Sequence, residues 1–570
     1  MSESSEPLLG ASSDNSPPDM PTAADTHALG ANSLEIVDGK HVLDTRDSND
    51  IPEDDPTAPS RRVSSRRQRL SDLFTILCAG CALISDGYAN SLMTLINVVL
   101  RQEYAREYTS DVSTRVSNAL LVGEIIGQIT IGLTCDYLGR KTAIILTSSM
   151  IIVGLIICTA AHGVTIGGMF WMLTIGRGVT GYGTGGECKS SLSMIGRTMT
   201  PPSFPVPNKK HLISILPTNT TSSTIDPASS TSASESANAY ALKSRGTIFI
   251  LVTNLPLTFG VPLASSIFLI VLSAAGSTHP STIWRVCFGI GIIFPVSIFY
   301  WRVKMLNSAL YRRGAIRKQV TPYALVLRYY WKSLIGTCGA WFLFDFVTIP
   351  NAVFSGGIIA NIVPKGDIKG TAEWQLLLGA LGLPGVIIGA FCVGLLSRKT
   401  IMLIGFGGYL VFGLIIGLLY DRISKITPLF VVLYGLLLTM GNFGPGNMVG
   451  LVASESYATA VRGTCYGISA AMGKTGAAVG TQVFLPIQNN LGLKWTFIIA
   501  AIVGVVGMVV TWFFVPNLTG DDLAIEDERF RGYLIEKGWK GLMGEDDLKG
   551  RVDDVVGIGD GGFQFERRDT

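Results

Sequence analysis

The sequence predicts an all-α integral membrane protein of twelve transmembrane helices in two pseudo-symmetric six-helix bundles. Three observations carry that expectation. Apolar residues make up 48% of the 570 residues, with 65 glycines beyond that figure, and charged residues only 15%, against about 25% in an ordinary soluble protein. The mean hydropathy is positive, at +0.41. Apolar stretches long enough to cross a bilayer as helices recur along the chain, with a strongly basic stretch at their midpoint. Length alone would suggest roughly three or four soluble domains. So few charges could not solvate the surface of such an assembly.

Residues 1–70 are polar and rich in Ser, Pro and Asp, which reads as a disordered cytoplasmic tail rather than a cleavable signal peptide. It ends in the basic cluster Arg61-Arg62-Val63-Ser64-Ser65-Arg66-Arg67-Gln68-Arg69. Apolar spans are then expected near 73–100, 113–135, 141–161, 166–186, 246–273 and 283–301, and near 332–358, 374–396, 400–419, 427–451, 463–485 and 495–515. Residues 71–303 accordingly form an N-terminal six-helix bundle carrying an insert at 189–226. Residues 304–331 form a basic central loop, 332–515 a C-terminal six-helix bundle, and 516–570 a second tail. Nearly all nine cysteines fall inside apolar runs, which argues against a disulfide framework; Cys78-x-x-Cys81 reads as helix packing.

The net charge of +3 carries no nucleic-acid signal. Charge placement says more. Between Arg302 and Lys332 stand eight basic residues and no acid. By the positive-inside rule this stretch is cytoplasmic, and even span counts on either side put both termini there too. Two bundles around a central loop suggest a site between them.

Beyond the entry turns of the spans, the ionisable residues in or at the end of a span are Asp86, Glu124, Arg177, Glu187, Asp345 and Lys474. Each costs on the order of 2.5–3.5 kcal/mol at a helix centre, so each needs a partner or a watery cavity. Lys474 is the natural counter-charge for an anion such as a phosphate, or else the structural partner of Asp345. Carboxylates beside an anion site repel the substrate unless protonated, which links proton uptake to anion binding. No histidine lies in a span, so Asp86, Glu187 and Asp345 are the candidate proton carriers. Glu124 and Arg177 read as a structural pair or as solvated cavity groups. Gly123-x-x-x-Gly127 reads as small-residue helix packing. Trp341, four residues before Asp345, shares its helix face as a ligand or a packing aromatic.

The loop after the second span, Gly132-Leu-Thr-Cys-Asp136-Tyr137-Leu-Gly139-Arg140-Lys141, resembles the signature loop of the major facilitator superfamily. Several further motifs resemble the proton–phosphate symporter family within it. They are Asp86-Gly87-Tyr88, Gly185-Gly186-Glu187, Trp341-x-x-x-Asp345, Phe443-Gly444-Pro445-Gly446-Asn447, Ala453-Ser454-Glu455-Ser456, Val461-Arg462-Gly463-Thr464 and Gly473-Lys474-x-Gly476-Ala477. The likeness is greatest to the fungal glycerophosphodiester permeases of the glycerophosphoinositol and glycerophosphocholine type. It implies the major facilitator fold, substrate contacts from Lys474, Asp345, Trp341 and Asn254, and proton coupling through Asp86, Glu187 and Asp345. It also implies a cytoplasmic gate involving Asp136, Gly139, Arg140, Glu455 and Arg462.

Three departures stand out. Ile349 occupies a position where the family often has Tyr. The loop after the eighth span, Gly394-Leu-Leu-Ser-Arg398-Lys399, lacks the acid of the signature. The family's Gly-Gly-acid-Tyr-Pro is broken into Gly185-Gly186-Glu187-Cys188-Lys189, with Pro227 only some forty residues on. Cys-Lys-Ser can be written TGT-AAG-TC, which contains a splice-donor string, and Ile225-Asp226-Pro227 as ATA-GAC-CC, which contains an acceptor. Joining them yields a Tyr codon and restores the motif in frame. Residues 189–225 are therefore either a translated intron or a native disordered insert.

The function expected is a non-enzymatic, proton-coupled secondary transporter in the plasma membrane. It would import a phosphate-bearing organic anion by alternating access as a monomer, with the proton as coupling ion and no cofactor or metal. A glycerophosphodiester such as glycerophosphoinositol or glycerophosphocholine is the substrate class the resemblance favours; inorganic phosphate, or a non-transporting sensor on the same scaffold, are the alternatives. A neutral sugar gives no return for burying Lys474.

Overall fold

In the computed structural model, residues 83–138, 140–198, 227–276, 279–304, 322–364, 367–458, 460–517 and 523–539 are described. The tail expected over 1–70, the Cys78-x-x-Cys81 pair, most of the insert and of the central loop, and the chain beyond Trp539 lie outside them. Among the described residues the regular structure is helical throughout. Helices α1 (Leu83–Glu103), α2 (Ser110–Leu138), α3 (Arg140–Thr159), α4 (Ile166–Thr198), α5 (Pro227–Ala275) and α6 (Pro280–Lys304) precede the central segment. Helices α7 (Tyr323–Ala360), α8 (Ile368–Cys392, interrupted at Gly382), α9 (Arg398–Leu418), α10 (Thr427–Glu455), α11 (Arg462–Leu491) and α12 (Lys494–Phe514) follow it. A shorter helix, α13 (Leu523–Glu536), comes last.

Eight of these, α1, α5–α10 and α12, are long and apolar enough by themselves to cross a membrane. The other four long helices have 29, 20, 33 and 30 residues (α2, α3, α4 and α11). In three of them, α2, α4 and α11, the polar residues Glu124, Arg177 and Lys474 lower the hydropathy and turn inward. One apolar core joins residues of α1 to α6, including Leu92, Ile96, Phe268 and Trp284, and takes in Ala372 of α8. A second joins α7 to α13, including Phe344, Phe406, Tyr434 and Phe497. Apolar side chains such as Ile293, Phe391 and Phe513 point outward instead, as a lipid-facing surface requires.

Glycines set the close helix crossings. A Cβ on Gly123 or Gly127 would collide with the α4 backbone at Gly178 and Tyr182, and one on Gly185 with the α2 backbone at Glu124. Likewise Gly476 and Gly480 let α11 lie against the carbonyls of Phe342 and Phe346 on α7. These contacts fix the axial heights of Glu124, Asp345 and Lys474. In α10 the run Asn442–Gly446, with Pro445, forms a π-helical turn. Such turns often mark functional sites.

Two boundaries differ from the sequence expectation. Helix α7 starts at Tyr323, inside the stretch read as loop 304–331. Val326 and Tyr330, one turn apart, bury into the second core, while Arg328 and Lys332 stay outside; the basic residues that signal a loop ride on a helix face. Similarly, the tail read over 516–570 contains α13. Its Phe530 and Leu534, also one turn apart, are fully buried, and Tyr330 donates a 2.8 Å hydrogen bond to Glu526. Helix α4 continues past Glu187 to Thr198, inside the stretch read as the insert, and α5 begins at Pro227, directly after that stretch ends.

Candidate substrate and proton site

A cavity of about 250 Å³ lies between the two cores, lined from α1, α2, α4, α5, α7, α8, α10 and α11. Contacts between the halves bridge it on both sides. Toward the end away from α13, Thr94 donates to the Ala352 carbonyl at 3.0 Å, and Thr481 bonds Asn118. Toward the other end, Thr247 donates to the Ala390 carbonyl at 2.8 Å. A larger crevice of about 860 Å³ between α2, α4 and α11 is lined by Val122, Ile126 and Ile175, which are surface-exposed. It faces outward, whereas the ionisable groups gather in the smaller, internal space.

Lys474 on α11 is the centre of that group. Its Nζ lies 3.2 Å from Glu124 Oε2 on α2 and 3.8 Å from Asp345 Oδ2 on α7. Glu124 and Asp345 are 2% and 3% exposed, so each acid is desolvated and depends on its partners. Glu124 Oε1 also accepts from Asn90 Nδ2 at 3.0 Å and from Thr184 Oγ1 at 3.3 Å. One ammonium is thus held by a carboxylate from each half of the molecule. Moving the halves apart at this seam must separate Lys474 from Glu124, but need not separate it from Asp345.

Of the two readings of Glu124 and Arg177, a structural pair or solvated cavity groups, the pair gives way to this arrangement. Arg177 lines the same cavity and gives its Nε to the Val116 carbonyl at 3.0 Å. The role of Glu124 across the seam had no signature in the sequence beyond its being an acid within a span, with Gln128 one turn on. Which residue an α2 acid meets on α11 is a long-range contact.

Trp341 and Asn254 line the cavity as well. The Trp341 ring meets Tyr466 edge-on at 5.5 Å, and Gly473 gives it room. Asn254 Nδ2 donates to the Gly446 carbonyl at 3.2 Å, in the π-helical turn. Asp86 is buried on α1 but is not among the cavity-lining residues; its carbonyl accepts from Asn90, the same side chain that bonds Glu124. Gly139 and the side chains of Glu187, Asp136 and Arg140 lie outside the described set.

At the α13 end, Glu455 closing α10 pairs with Arg398 opening α9 at 3.2 Å, both buried. Arg398 belongs to the loop that lacks the signature acid, so the acid it meets comes from α10. Arg462 gives its Nε to the Tyr457 carbonyl at 3.0 Å, tying the α10–α11 turn.

A model of the sugar (and other) transporter family matches residues 73–202 and 324–530. The chain belongs to that transporter family. Among curated proteins, this transporter is 52% identical to glycerophosphoinositol permease 1 of Candida albicans, over 85% of the chain and 88% of the relative. It is 44% identical to glycerophosphoinositol transporter 1 of Saccharomyces cerevisiae, over 90% and 92%. A probable inorganic phosphate transporter of rice is 24% identical over 79% of the chain and 90% of the relative. The structure of the proton:xylose symporter XylE, of the major facilitator superfamily, superposes with a TM-score of 0.62 at 15% identity. It covers 81% of this chain and 99% of its own. The transporter therefore has the major facilitator fold, and its family makes it a transporter rather than an enzyme.

Proposed function

We propose that this transporter imports a glycerophosphodiester, glycerophosphoinositol in the first place, together with protons, across the plasma membrane by alternating access with both termini cytoplasmic. The observation that carries the reading is Lys474, held between Glu124 of one half and Asp345 of the other. A phosphodiester brings a single negative charge, which an ammonium inside a low-dielectric cavity binds strongly. While both carboxylates are ionised they hold that ammonium and repel the anion. Protonating them frees Lys474 for the phosphate, so substrate and proton enter together. With more than one proton per monoanion, the membrane potential drives import at about 2.3 kcal/mol per net charge per 100 mV. The much higher identity to glycerophosphoinositol carriers than to phosphate carriers favours the diester over inorganic phosphate.

The test is uptake of labelled glycerophosphoinositol into cells lacking their own carriers, with and without a protonophore, and with unlabelled glycerophosphocholine or phosphate as competitor. Uptake that collapses with the protonophore and competes best with glycerophosphoinositol is expected. Protonophore-insensitive uptake would remove the coupling, and uptake of phosphate alone would replace the substrate.

A further inference from the structure

The charged seam accounts for the anionic part of a substrate and leaves Gln375, a buried polar group of the cavity, without a role. Gln375 on α8 is 4% exposed and lines the cavity, and its Oε1 has no hydrogen-bond partner among the described residues. It shares a helix face with Leu378, Gly379 and Gly382, at spacings of three, four and seven residues, and all four line the cavity. Gly379 packs on Val261 of α5, and Asn442 of α10 gives its Nδ2 to the Gly382 carbonyl at 3.0 Å. On this face of α8 the cavity lining thus runs from Gln375 through Leu378 to the small residues Gly379 and Gly382, beside which stand Val261 and Thr258 of α5 and Asn442 of α10.

A buried acceptor left unmade is costly, and proteins keep few such groups. The cost is recovered if a ligand supplies the donor. An ionised phosphodiester has no proton to give, and a quaternary ammonium has none either. A hydroxyl has one. We infer that Gln375 accepts a hydrogen bond from a polyol hydroxyl of the substrate, and so determines specificity for the neutral, hydroxyl-bearing part of the molecule while Lys474 serves the phosphate. This rests on the transport reading above and adds to it the subsite that separates a polyol diester from bare phosphate. Sites that hydrogen-bond a substrate hydroxyl discriminate strongly against analogues lacking it.

The experiment compares wild type with Gln375→Met, close to glutamine in length and shape, and with Gln375→Leu as a second apolar variant. Two readouts are taken on each. One is the KM for labelled glycerophosphoinositol, with the inhibition constant of glycerophosphocholine; the other is the thermal midpoint of the purified, substrate-free protein. The KM should rise about tenfold, the usual scale for one lost hydrogen bond in a buried site. The thermal midpoint should stay or rise, because an unmade bond has been removed from the empty cavity. A parallel rise for glycerophosphocholine places the contact on the glycerol hydroxyls, and an unchanged value places it on the inositol ring. An unchanged KM overturns the assignment. So does a rise accompanied by a lower thermal midpoint in both variants, which makes Gln375 a packing residue. Wild-type protein that takes up no glycerophosphoinositol removes the substrate reading itself, a failure distinct from either.

Discussion

Lys474 and Glu124 meet at 3.2 Å across the seam between the two six-helix halves, with Asp345 on the ammonium's other side at 3.8 Å. The pair couples the charge state of the cavity to its shape. Separation of the halves at this point leaves Glu124 without its cation, which is costly for a buried carboxylate.

Replacing Lys474 by Ala should abolish uptake while the protein still reaches the membrane. The variant leaves two buried acids without their ammonium, which costs on the order of 3 kcal/mol if they stay ionised. Adding Glu124→Gln to Lys474→Ala should recover part of the thermal midpoint but none of the transport. Near-normal uptake in Lys474→Ala would take the lysine out of the site.

Asp345→Asn should separate exchange from accumulation. The amide imitates the protonated acid, so preloaded vesicles should still exchange labelled for unlabelled substrate, but accumulation against a gradient should fall at least tenfold and lose its pH dependence. Glu124→Gln measured in parallel decides which acid carries the coupling. Full accumulation with an unchanged pH profile in Asp345→Asn would assign it to Glu124, Asp86 or Glu187.

The docking of α13 should weaken as pH rises. Burial lifts the Glu526 carboxyl above its ordinary range, opposed by the hydrogen bond from Tyr330. A group whose pKa is raised in the folded state holds its proton more tightly there. Its docking is therefore most favourable below the ordinary carboxylate pKa and weakens as pH climbs through the raised one. Glu526→Gln keeps an acceptor for Tyr330 and removes the titration. Amide exchange in α13 should then be independent of that titration, and at neutral pH no faster than in wild type. Faster exchange in the variant would show that the ionised carboxylate is what holds α13.

The chain with residues 189–226 intact should transport poorly. Deleting 189–226 and changing Cys188→Tyr restores the Gly-Gly-Glu-Tyr-Pro run of the glycerophosphodiester permeases, and this form should exceed the full chain in uptake at equal surface level. The insert itself is cheap to fold around, each doubling of a loop adding roughly 0.6 kcal/mol. Sequencing the transcript across codons 188–226 tests the intron separately. Equal uptake by both forms, with every transcript retaining the segment, would make the insert native.

Composition and the spacing of apolar runs were enough to determine a membrane-spanning helical protein, because a bilayer admits no other use for so many apolar residues and so few charges. The same logic marked Asp345 and Lys474: an ionisable residue inside a span is costly wherever it sits, so its presence is informative without knowledge of its neighbours. The tertiary structure decided what those residues face. Glu124 and Lys474 are 350 positions apart in sequence, and their meeting depends on glycine contacts that set the heights of α2 and α11 against α4 and α7. Arg398 could be read as half of a degenerate latch, but its acid, Glu455, comes from the far end of another helix. Helix α13 and the early start of α7 are not legible in the sequence, because a basic or polar stretch carrying one buried pair per turn has too weak a pattern on its own; Phe530 and Tyr330 become apolar anchors only when they pack on each other. Gln375 is one polar residue among many until burial and the lack of a partner, which are properties of the packed cavity, set it apart.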